Sequence, residues 1–344
     1  MIHNISALTT VLQKIPVITG FWWHNARPAS LPQSLLPAIL GVCIAAGQDA
    51  FSLPLALAAV FGVIFAHLAT NLWDDYFDYR VKQSGFRDTL ARQGFRARIL
   101  KCPYLTSGQA TLNQLLIACI IFSSIALLPC LFIFSFRGIF IFYITLVTGL
   151  LGIFYSGYPL RLSYHGLGEI IIGILFGPLL ITGVIYAAAG TFLPQSLFLS
   201  IPVGLLVMNI VYTHAVIDVT ADKVAGKHTL AVVLHQPRLM LAVLFLLLLV
   251  PFGIIVYGVT QGLSPWYLLT LGTLPMAGVL FFMVIEFFRT PQRSFEPKFW
   301  MGPMRHWATV KAQGIDWFLI RWFVARNLLS FFCILLCAVA LLAN

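Results

Sequence analysis

Four oxygen-bearing side chains recur at helical spacing in residues 71–78, which read NLWDDYFD. Asn71, Asp74, Asp75 and Asp78 stand at positions i, i+3, i+4 and i+7, so on a helix they share one face. Carboxylates crowded on one stripe repel each other unless a cation lies among them. Oxygen ligands favour a hard ion such as Mg2+, which proteins commonly share with substrate phosphates. We therefore predict that these four residues bind Mg2+, the alternative being a solvated helix end at a membrane surface.

A second acidic cluster begins at Asp218. Asp218 and Asp222 are spaced i, i+4 and therefore face the same way on a helix. Lys223 and Lys227 follow them and supply positive charge that can meet a diphosphate. Taken alone, this cluster is also compatible with ordinary ion-paired helix capping. Taken together, two carboxylate faces can clamp a diphosphate through bridging Mg2+ while the lysines neutralise the remaining charge.

The reaction that suits such a pair of clusters is the ionisation of an allylic diphosphate. Stabilising the leaving diphosphate makes cleavage of the carbon–oxygen bond feasible. The allylic cation that remains needs dry, electron-rich surroundings, which aromatic faces provide. Candidate aromatic residues near the clusters are Tyr76, Phe77, Tyr79, Phe154, Tyr155 and Tyr158.

The elements that position these residues are membrane helices. The chain has 344 residues, of which 60% are hydrophobic and only 9% are charged. A soluble domain carries about 25% charged residues, so lipid must solvate most of this apolar surface. We predict an all-α integral membrane protein that forms a single domain over residues 1–344.

Stretches of about 20 predominantly apolar residues indicate the spans. Glycine and proline occur inside several of them, which membrane helices tolerate. The sequence predicts a bundle of nine transmembrane helices at 31–48, 51–73, 112–134, 138–154, 167–190, 196–217, 239–260, 265–288 and 327–343. We interpret residues 289–326 as a loop that lies in part as an amphipathic segment at the headgroup level.

The basic residues predict the orientation. With nine spans, of the 21 lysines and arginines only Arg137 falls on the side of the C-terminus. The positive-inside rule therefore places the N-terminus and the acidic clusters in the cytoplasm and the C-terminus outside. We expect a bacterial inner membrane as the location. The N-terminal segment lacks the pattern of a cleaved signal peptide, so we expect it to belong to the fold.

Other classes of function fit the sequence less well. No basic stripe exists outside the loops, so we expect no nucleic-acid partner. The six cysteines form no CxxC pair and are typical of small apolar residues in a bundle. A transporter for an anionic lipid or solute is the main alternative to an enzyme, but transporters place polar groups near the bilayer midplane rather than at helix ends. A metal-dependent scaffold protein is a further alternative. The sequence does not indicate an oligomeric state.

Both acidic clusters resemble the motifs of the UbiA superfamily of intramembrane prenyltransferases. Asn71, Asp75 and Asp78 match its N-x-x-N-D-x-x-D motif, with Asp74 at the second asparagine position, and Asp218 with Asp222 matches its DxxxD motif. The resemblance implies nine helices, Mg2+ as cofactor, a polyprenyl diphosphate as donor, and an aromatic acceptor. It also implies that the residues that act in catalysis are Asp75, Asp78, Asp218 and Asp222.

Two further stretches are similar to the MenA branch of that superfamily. These are residues 24–35, HNARPASLPQSL, and residues 155–170, YSGYPLRLSYHGLGEI. The branch prenylates 1,4-dihydroxy-2-naphthoate in menaquinone synthesis. Asp74 departs from its first motif, and His214 and Ile217 stand where the branch carries other polar residues. These departures keep 4-hydroxybenzoate, haem, chlorophyllide and glycerol-lipid acceptors open.

Several single residues are further candidates for substrate binding. Arg27 is either a substrate contact or a signal of membrane topology. Glu169 either contacts the acceptor or caps a helix. His214 is either a pocket residue or a histidine whose hydrogen bonds are satisfied within the bundle. Asp88 resembles a later acidic residue of the family. The full set predicted to bind substrate is Arg27, Asn71, Asp88, Lys101, Tyr155, Glu169, His214, Lys223 and Lys227.

Overall fold

The apolar stretches of the sequence form long helices. We describe a computed structural model, which covers residues 18–80, 102–224 and 226–343. Its apolar helices, numbered here in chain order, are α1 (Pro32–Ala45), α2 (Leu53–Arg80), α3 (Leu112–Arg137), α4 (Ile139–Ser156), α5 (Gly168–Ala189), α6 (Pro194–Ile217), α7 (Pro237–Thr260), α8 (Pro265–Arg289) and α9 (Asp316–Ala343). The prediction of an all-α membrane bundle is confirmed, since the described part contains helices and no strands.

Eight of these helices, α2 to α9, are long and apolar enough to cross a membrane within the described part of the chain. Helix α1 has 14 residues, fewer than the roughly 20 that a span needs. It is short because a 3-10 turn at Pro28–Ser30 and Pro32 at its first position delay its start. The count of nine spans therefore stays a prediction.

The predicted start of the last span at residue 327 is wrong. Helix α9 begins at Asp316, so the end of the predicted 289–326 loop is helical. Arg321 in its second turn is fully buried, and its guanidinium donates to the backbone oxygens of Met283 and Arg293. The charge of Arg321 lowered the apparent hydrophobicity of this part of the sequence, so the span was predicted to begin later. In the structure, the carbonyl partners compensate for the burial of the guanidinium.

Short elements connect the long helices. A helical segment at 18–25 precedes the turn at Pro28–Ser30, and single helical turns join the longer helices elsewhere. Helix α5 contains a π-helical segment at Leu175–Leu179, α6 opens with a 3-10 turn at Pro194–Ser196, and α8 opens with 3-10 geometry over Pro265–Thr273. The remaining short elements are Pro103–Thr106, Leu162–Tyr164, Val219–Val224, Leu230–Leu234, Phe299–Met301 and Trp307–Ala312.

Helix α6 is the most buried of the long helices and packs against α5, α7 and α9. Its closest neighbour is α5: a Cβ atom on Gly177 would lie 2.5 Å from the Cα atom of Gly204. Small residues permit this approach of two membrane helices, whose association relies on close packing. Helix α2 packs mainly against α3. Because α2 ends in the first acidic cluster and the second follows α6, the bundle positions both clusters.

Candidate active site

The two acidic clusters line a single cavity of about 610 Å³. Asn71, Asp74 and Asp75 reach it from the end of α2, and Asp218 and Asp222 reach it from the segment after α6. The two groups are more than 140 positions apart in sequence, and only the packing of the bundle brings them together. Residues from α1, α5 and α9 complete the wall, among them Gln33, Ile172, Phe176, Leu319 and Trp322.

Arg27 and Tyr104 hold the first cluster. The Arg27 guanidinium lies 3.2 Å from Oδ1 of Asp75 and 3.7 Å from the Asp74 carboxylate, while the Tyr104 hydroxyl donates a 3.0 Å hydrogen bond to Oδ2 of Asp75. Asp75 is only 3% exposed. A carboxylate buried this deeply requires such partners. The arrangement therefore gives Asp75 a cationic partner and a hydrogen-bond donor at the cavity wall.

The same contacts shift the pKa values of Arg27 and Tyr104. Burial opposes the charged form of Arg27, but the carboxylates of Asp75 and Asp74 outweigh it and raise the pKa of the guanidinium. Burial, reinforced by the charge of Asp75, raises the pKa of the Tyr104 hydroxyl well above its usual range. Arg27 is therefore a permanent cation at the cavity, and Tyr104 remains a neutral hydrogen-bond donor.

Asp74 and Asp78 have different surroundings although they share a helix with Asp75. The Ser156 hydroxyl donates to Oδ1 of Asp74 across 2.6 Å, and the Tyr164 hydroxyl donates to Oδ1 of Asp78 across 2.6 Å. Asp74 lines the cavity, whereas Asp78 is buried beside it and does not. The common face predicted from the spacing is thus split between the cavity and the loop that follows α4.

Contacts within residues 214–227 hold the second cluster. Oδ2 of Asp218 lies 3.5 Å from Nε2 of His214, one helical turn earlier, and the Asp222 carbonyl accepts the Lys227 amide across 2.9 Å. Gly226 has a φ of 66°, which lets the chain turn back so that Lys227 reaches the cavity. His214 also lines the cavity. Lys223, which was predicted to bind substrate, is exposed and does not line the cavity.

Glu169 and Tyr155 lie between the two clusters on the cavity wall. Glu169 is 2% exposed, and its Oε1 accepts the Leu230 amide across 3.2 Å. Its Oε2 has no hydrogen-bond partner within the described residues. Tyr155 is the one member of the predicted aromatic set that lines the cavity. Glu169 thus supports the start of the Leu230–Leu234 helix with one oxygen and leaves the other for a ligand.

The other predicted aromatic residues do not line the cavity. Asp88 and Lys101 lie outside the described residues. Tyr158 is 68% exposed, and the Phe77 ring stacks on Trp73 at a centroid distance of 5.5 Å. Tyr76 and Tyr79 pack against the apolar cluster between α2 and α3, and Phe154 is half-buried away from the cavity.

Sequence reasoning missed several residues that hold the site, and no spacing rule identifies Tyr104 or Ser156. Tyr104 and Ser156 stand 29 and 82 positions from the aspartates that they contact, so no local period connects the pairs. Tyr164 falls within the 155–170 stretch that the resemblance singled out, which is the one available signal. Ser30 and His67 also line the cavity and contact each other.

The donor set of the cavity fits Mg2+ held jointly with a phosphate. All the candidate ligands, Asn71, Asp74, Asp75, Asp218 and Asp222, offer oxygen atoms, which hard cations prefer. Within the described ranges, no three His, Cys, Asp or Glu residues converge closely enough to cage a metal. Mg2+ typically uses one or two carboxylates together with water and substrate phosphates. The residues therefore suit an ion that binds with its substrate.

The sequence of this chain is similar to those of known membrane prenyltransferases. Residues 34–309 match the sequence model of the UbiA prenyltransferase family. The chain is 26% identical over 260 residues to the 1,4-dihydroxy-2-naphthoate octaprenyltransferase of Bacillus subtilis, covering 74% of this chain and 78% of the relative. It is 28% identical over 271 residues to the UbiA prenyltransferase domain-containing protein 1 homolog of Drosophila melanogaster, covering 77% of this chain and 70% of the relative.

Solved structures show the same fold. A UbiA homolog from Archaeoglobus fulgidus bound to DMAPP and Mg2+ superposes with a TM-score of 0.55 at 17% identity, covering 92% of this chain and 99% of the other. A digeranylgeranylglyceryl phosphate synthase superposes with a TM-score of 0.57 at 16% identity, covering 94% and 99%. The overall fold of the helical bundle is therefore shared with these proteins.

Proposed function

This chain belongs to the UbiA prenyltransferase family and is a membrane prenyltransferase, and we propose that it transfers a polyprenyl group from its diphosphate to 1,4-dihydroxy-2-naphthoate. The observation that carries the proposal is the convergence of two acidic clusters, Arg27 and Lys227 on one cavity at the ends of membrane helices. The names of the bacterial relatives support the naphthoate as acceptor.

The diphosphate of the donor binds at the polar end of the cavity. Asn71, Asp74, Asp75, Asp218 and Asp222 would hold Mg2+ there, and bound Mg2+ supplies charge that stabilises the leaving diphosphate. Among the described lysines and arginines, Arg27 and Lys227 line the cavity and meet the remaining negative charge. Their fixed positions orient the donor so that its first carbon points away from the acidic clusters.

The apolar part of the wall protects the allylic cation. Ile172, Phe176, Ile210 and Leu319 line the cavity and exclude water, which would otherwise capture the cation. The ring of Tyr155 lies on the same wall and offers a π face to the positive charge. The isoprenoid tail continues from this apolar wall towards the lipid that surrounds the helices.

The acceptor reacts without a strong base because a dihydroxynaphthalene ring is electron-rich. The ring carbon that carries the carboxylate bonds to the first carbon of the prenyl group as the carbon–oxygen bond to the diphosphate breaks. Loss of carbon dioxide then restores aromaticity and makes the step irreversible. Glu169 and His214 line the cavity and are placed to accept the hydroxyl proton released on attack and to return it to the same oxygen after carbon dioxide leaves.

We further propose that the cavity opens to the cytoplasm and that the C-terminus lies outside, in a bacterial inner membrane. The distribution of basic residues supports this orientation, since Arg137 alone among lysines and arginines falls on the C-terminal side. Reporter fusions after Ala343 and between α7 and α8 should both report an external location. A cytoplasmic signal from the C-terminal fusion would contradict this topology.

One assay tests the reaction and its acceptor. Purified protein is incubated with a labelled prenyl diphosphate, Mg2+ and a panel of acceptors: the naphthoate, 4-hydroxybenzoate, haem, chlorophyllide and a glycerol lipid. We expect a lipid-soluble prenylated dihydroxynaphthalene, identified by mass spectrometry directly or as the quinone formed from it by oxidation in air, and rescue of a menaquinone-deficient bacterium by the gene. Turnover of another acceptor with none of the naphthoate would reject the acceptor and retain the transfer reaction.

A further inference from the structure

Arg27 has a backbone conformation that few residues of its type adopt. Its φ is 61° and its ψ is 57°, the left-handed region, and it directly precedes Pro28. A residue other than glycine is disfavoured in this region, and a residue before proline favours extended backbone. Such a conformation persists only where the surroundings determine it, and it is most common at functional sites. The turn at Arg27 therefore needs contacts that hold it.

Ser30 and Asn71 supply those contacts. The Ser30 hydroxyl donates to the Arg27 carbonyl across 2.8 Å, and the Arg27 guanidinium donates to the Asn71 carbonyl across 2.8 Å. The Asn71 amide donates to the Ala26 carbonyl across 2.9 Å and to the Ser30 hydroxyl oxygen across 3.1 Å. Ser30 is thus the point at which the turn is joined to helix α2.

His67 fixes Ser30. It lies one helical turn before Asn71 on α2, is 7% exposed and lines the cavity. Its Nε2 is 3.1 Å from the Ser30 hydroxyl oxygen, and its Nδ1 is 2.6 Å from the Ser34 hydroxyl oxygen. The single hydroxyl proton of Ser30 is donated to the carbonyl oxygen of Arg27. The Ser30 oxygen therefore accepts a hydrogen bond from the imidazole. This assigns the proton to Nε2 and makes Nδ1 the acceptor of the Ser34 hydroxyl.

We propose that His67 is a positioning residue for donor binding. Its Nε2–H group holds Ser30, Ser30 holds the left-handed turn, and the turn directs the Arg27 guanidinium to the donor's diphosphate beside Asp74 and Asp75. Both ring nitrogens are engaged by serines, so His67 acts through Arg27 rather than by touching substrate. The inference rests on the proposed function in one respect, that Arg27 binds the diphosphate.

Two conservative substitutions separate the roles of the ring nitrogens. The amide nitrogen of glutamine in His67→Gln reaches the position of Nε2 and can still donate to Ser30. The shorter amide of His67→Asn reaches only the position of Nδ1 and the Ser34 contact. Ser34→Ala removes the Ser34 contact and leaves the Ser30 contact in place. The three variants therefore isolate the hydrogen bond on which the proposal depends.

The probe is inorganic diphosphate with Mg2+, whose Kd is measured by calorimetry on the full-length protein in detergent. We expect His67→Asn to weaken binding about tenfold, the scale of one lost hydrogen bond, with His67→Gln and Ser34→Ala staying within about threefold of the unchanged protein. The KM for the prenyl diphosphate should follow the Kd while kcat changes less. In an Arg27→Ala background, His67→Asn should weaken diphosphate binding no further.

Melting temperatures of the same samples separate this role from a structural one. Equal Kd values for His67→Asn and His67→Gln would overturn the proposal, whether both bind normally or both bind weakly. A lower melting temperature for His67→Asn with an unchanged Kd would also overturn it. A protein that binds diphosphate but prenylates no naphthoate would refute the proposed acceptor and leave this comparison of Kd values intact.

Discussion

The hydroxyl of Tyr164 donates a 2.6 Å hydrogen bond to Oδ1 of Asp78 and thereby joins the loop between α4 and α5 to the first acidic cluster. The ring of the same tyrosine lies 3.8 Å from the Arg161 guanidinium carbon and 5.5 Å from Nζ of Lys227. One side chain therefore contacts both acidic regions, because Asp78 belongs to the first and Lys227 follows the second. Tyr164 therefore lies between the two clusters and connects them.

Tyr164→Phe should lower kcat/KM for the prenyl diphosphate by at least about tenfold, since a hydrogen bond to a charged group contributes roughly 1.5–3 kcal/mol. The phenylalanine ring keeps both cation–π contacts, so the loss reports on the hydrogen bond to Asp78 alone. Steady-state kinetics of the purified protein measures the effect. Asp78→Ala should cost more than Tyr164→Phe, and equal activity of Tyr164→Phe and the unchanged protein would contradict a catalytic role for this contact.

Both acidic clusters should be required for turnover. Asp75→Ala and Asp218→Ala each remove a carboxylate that lines the cavity, and each should reduce the rate by at least about a hundredfold, the scale of losing a key electrostatic stabiliser. Asp49→Ala is the matched control, because Asp49 is an exposed aspartate at the opposite end of the bundle. Near-normal turnover by Asp218→Ala would refute a clamp built from two clusters.

Removal of divalent metal gives an independent test of the same clusters. Treatment with EDTA should abolish prenyl transfer, and Mg2+ should restore it, because the lining carboxylates and the diphosphate otherwise repel each other. Diphosphate binding measured without metal should weaken in the same way. Binding that is insensitive to EDTA would show that Arg27 and Lys227 suffice for the anion.

The sequence predicted the acidic part of the site because that part is local. The i, i+4 spacing of Asp218 and Asp222 and the repeat around Asp75 specify helix faces without any knowledge of the fold. The second half of each interaction is not local. Tyr104 reaches Asp75 across 29 positions, and no period in the sequence connects the two. Contacts of this kind exist only after the bundle packs.

The membrane helices were predictable for a similar reason, since the apolar composition of a span is a property of a continuous segment. The bounds were less predictable where tertiary contacts compensate for a polar residue. Arg321 made the predicted ninth span begin too late, although backbone carbonyls from two other segments satisfy this residue inside helix α9. The turn at Arg27 was likewise hidden, because its left-handed backbone is held by α2.

Arg137, the exception to the charge asymmetry, caps a helix. Its Nε donates to the Ala187 carbonyl across 3.1 Å, and its Nη2 donates to the carbonyls of Ala188 and Ala50 across 2.7 and 3.0 Å. The last carbonyls of α5 lack intrahelical partners, and a cation at a helix C-terminus complements the dipole. A structural requirement at this end of the bundle therefore explains why a basic residue lies on this side.

Arg137→Leu should destabilise the protein by about 2–3 kcal/mol, because it leaves the three carbonyls without a charged donor. The expected measurement is a lower melting temperature in detergent, with an unchanged KM for the prenyl diphosphate. Arg137→Lys retains the charge but not the branched geometry that serves several carbonyls at once, so it should recover only part of the loss. Full recovery by lysine would show that charge alone matters at this position.

Substitutions of Glu169 distinguish two roles for this residue: capping a helix and accepting a proton from the acceptor. Glu169→Gln retains a carbonyl oxygen for the Leu230 amide but replaces the second oxygen, which has no partner among the described residues, with an amide group. If the carboxylate takes the hydroxyl proton of the acceptor, this variant should lower kcat by about a hundredfold, the scale of a general base. Its melting temperature and its Kd for diphosphate with Mg2+ should stay unchanged. Glu169→Ala removes both oxygens, so it should lower kcat to the same extent and also lower the melting temperature. A glutamine variant with normal kcat, beside an alanine variant that is merely less stable, would assign Glu169 to capping the Leu230–Leu234 helix.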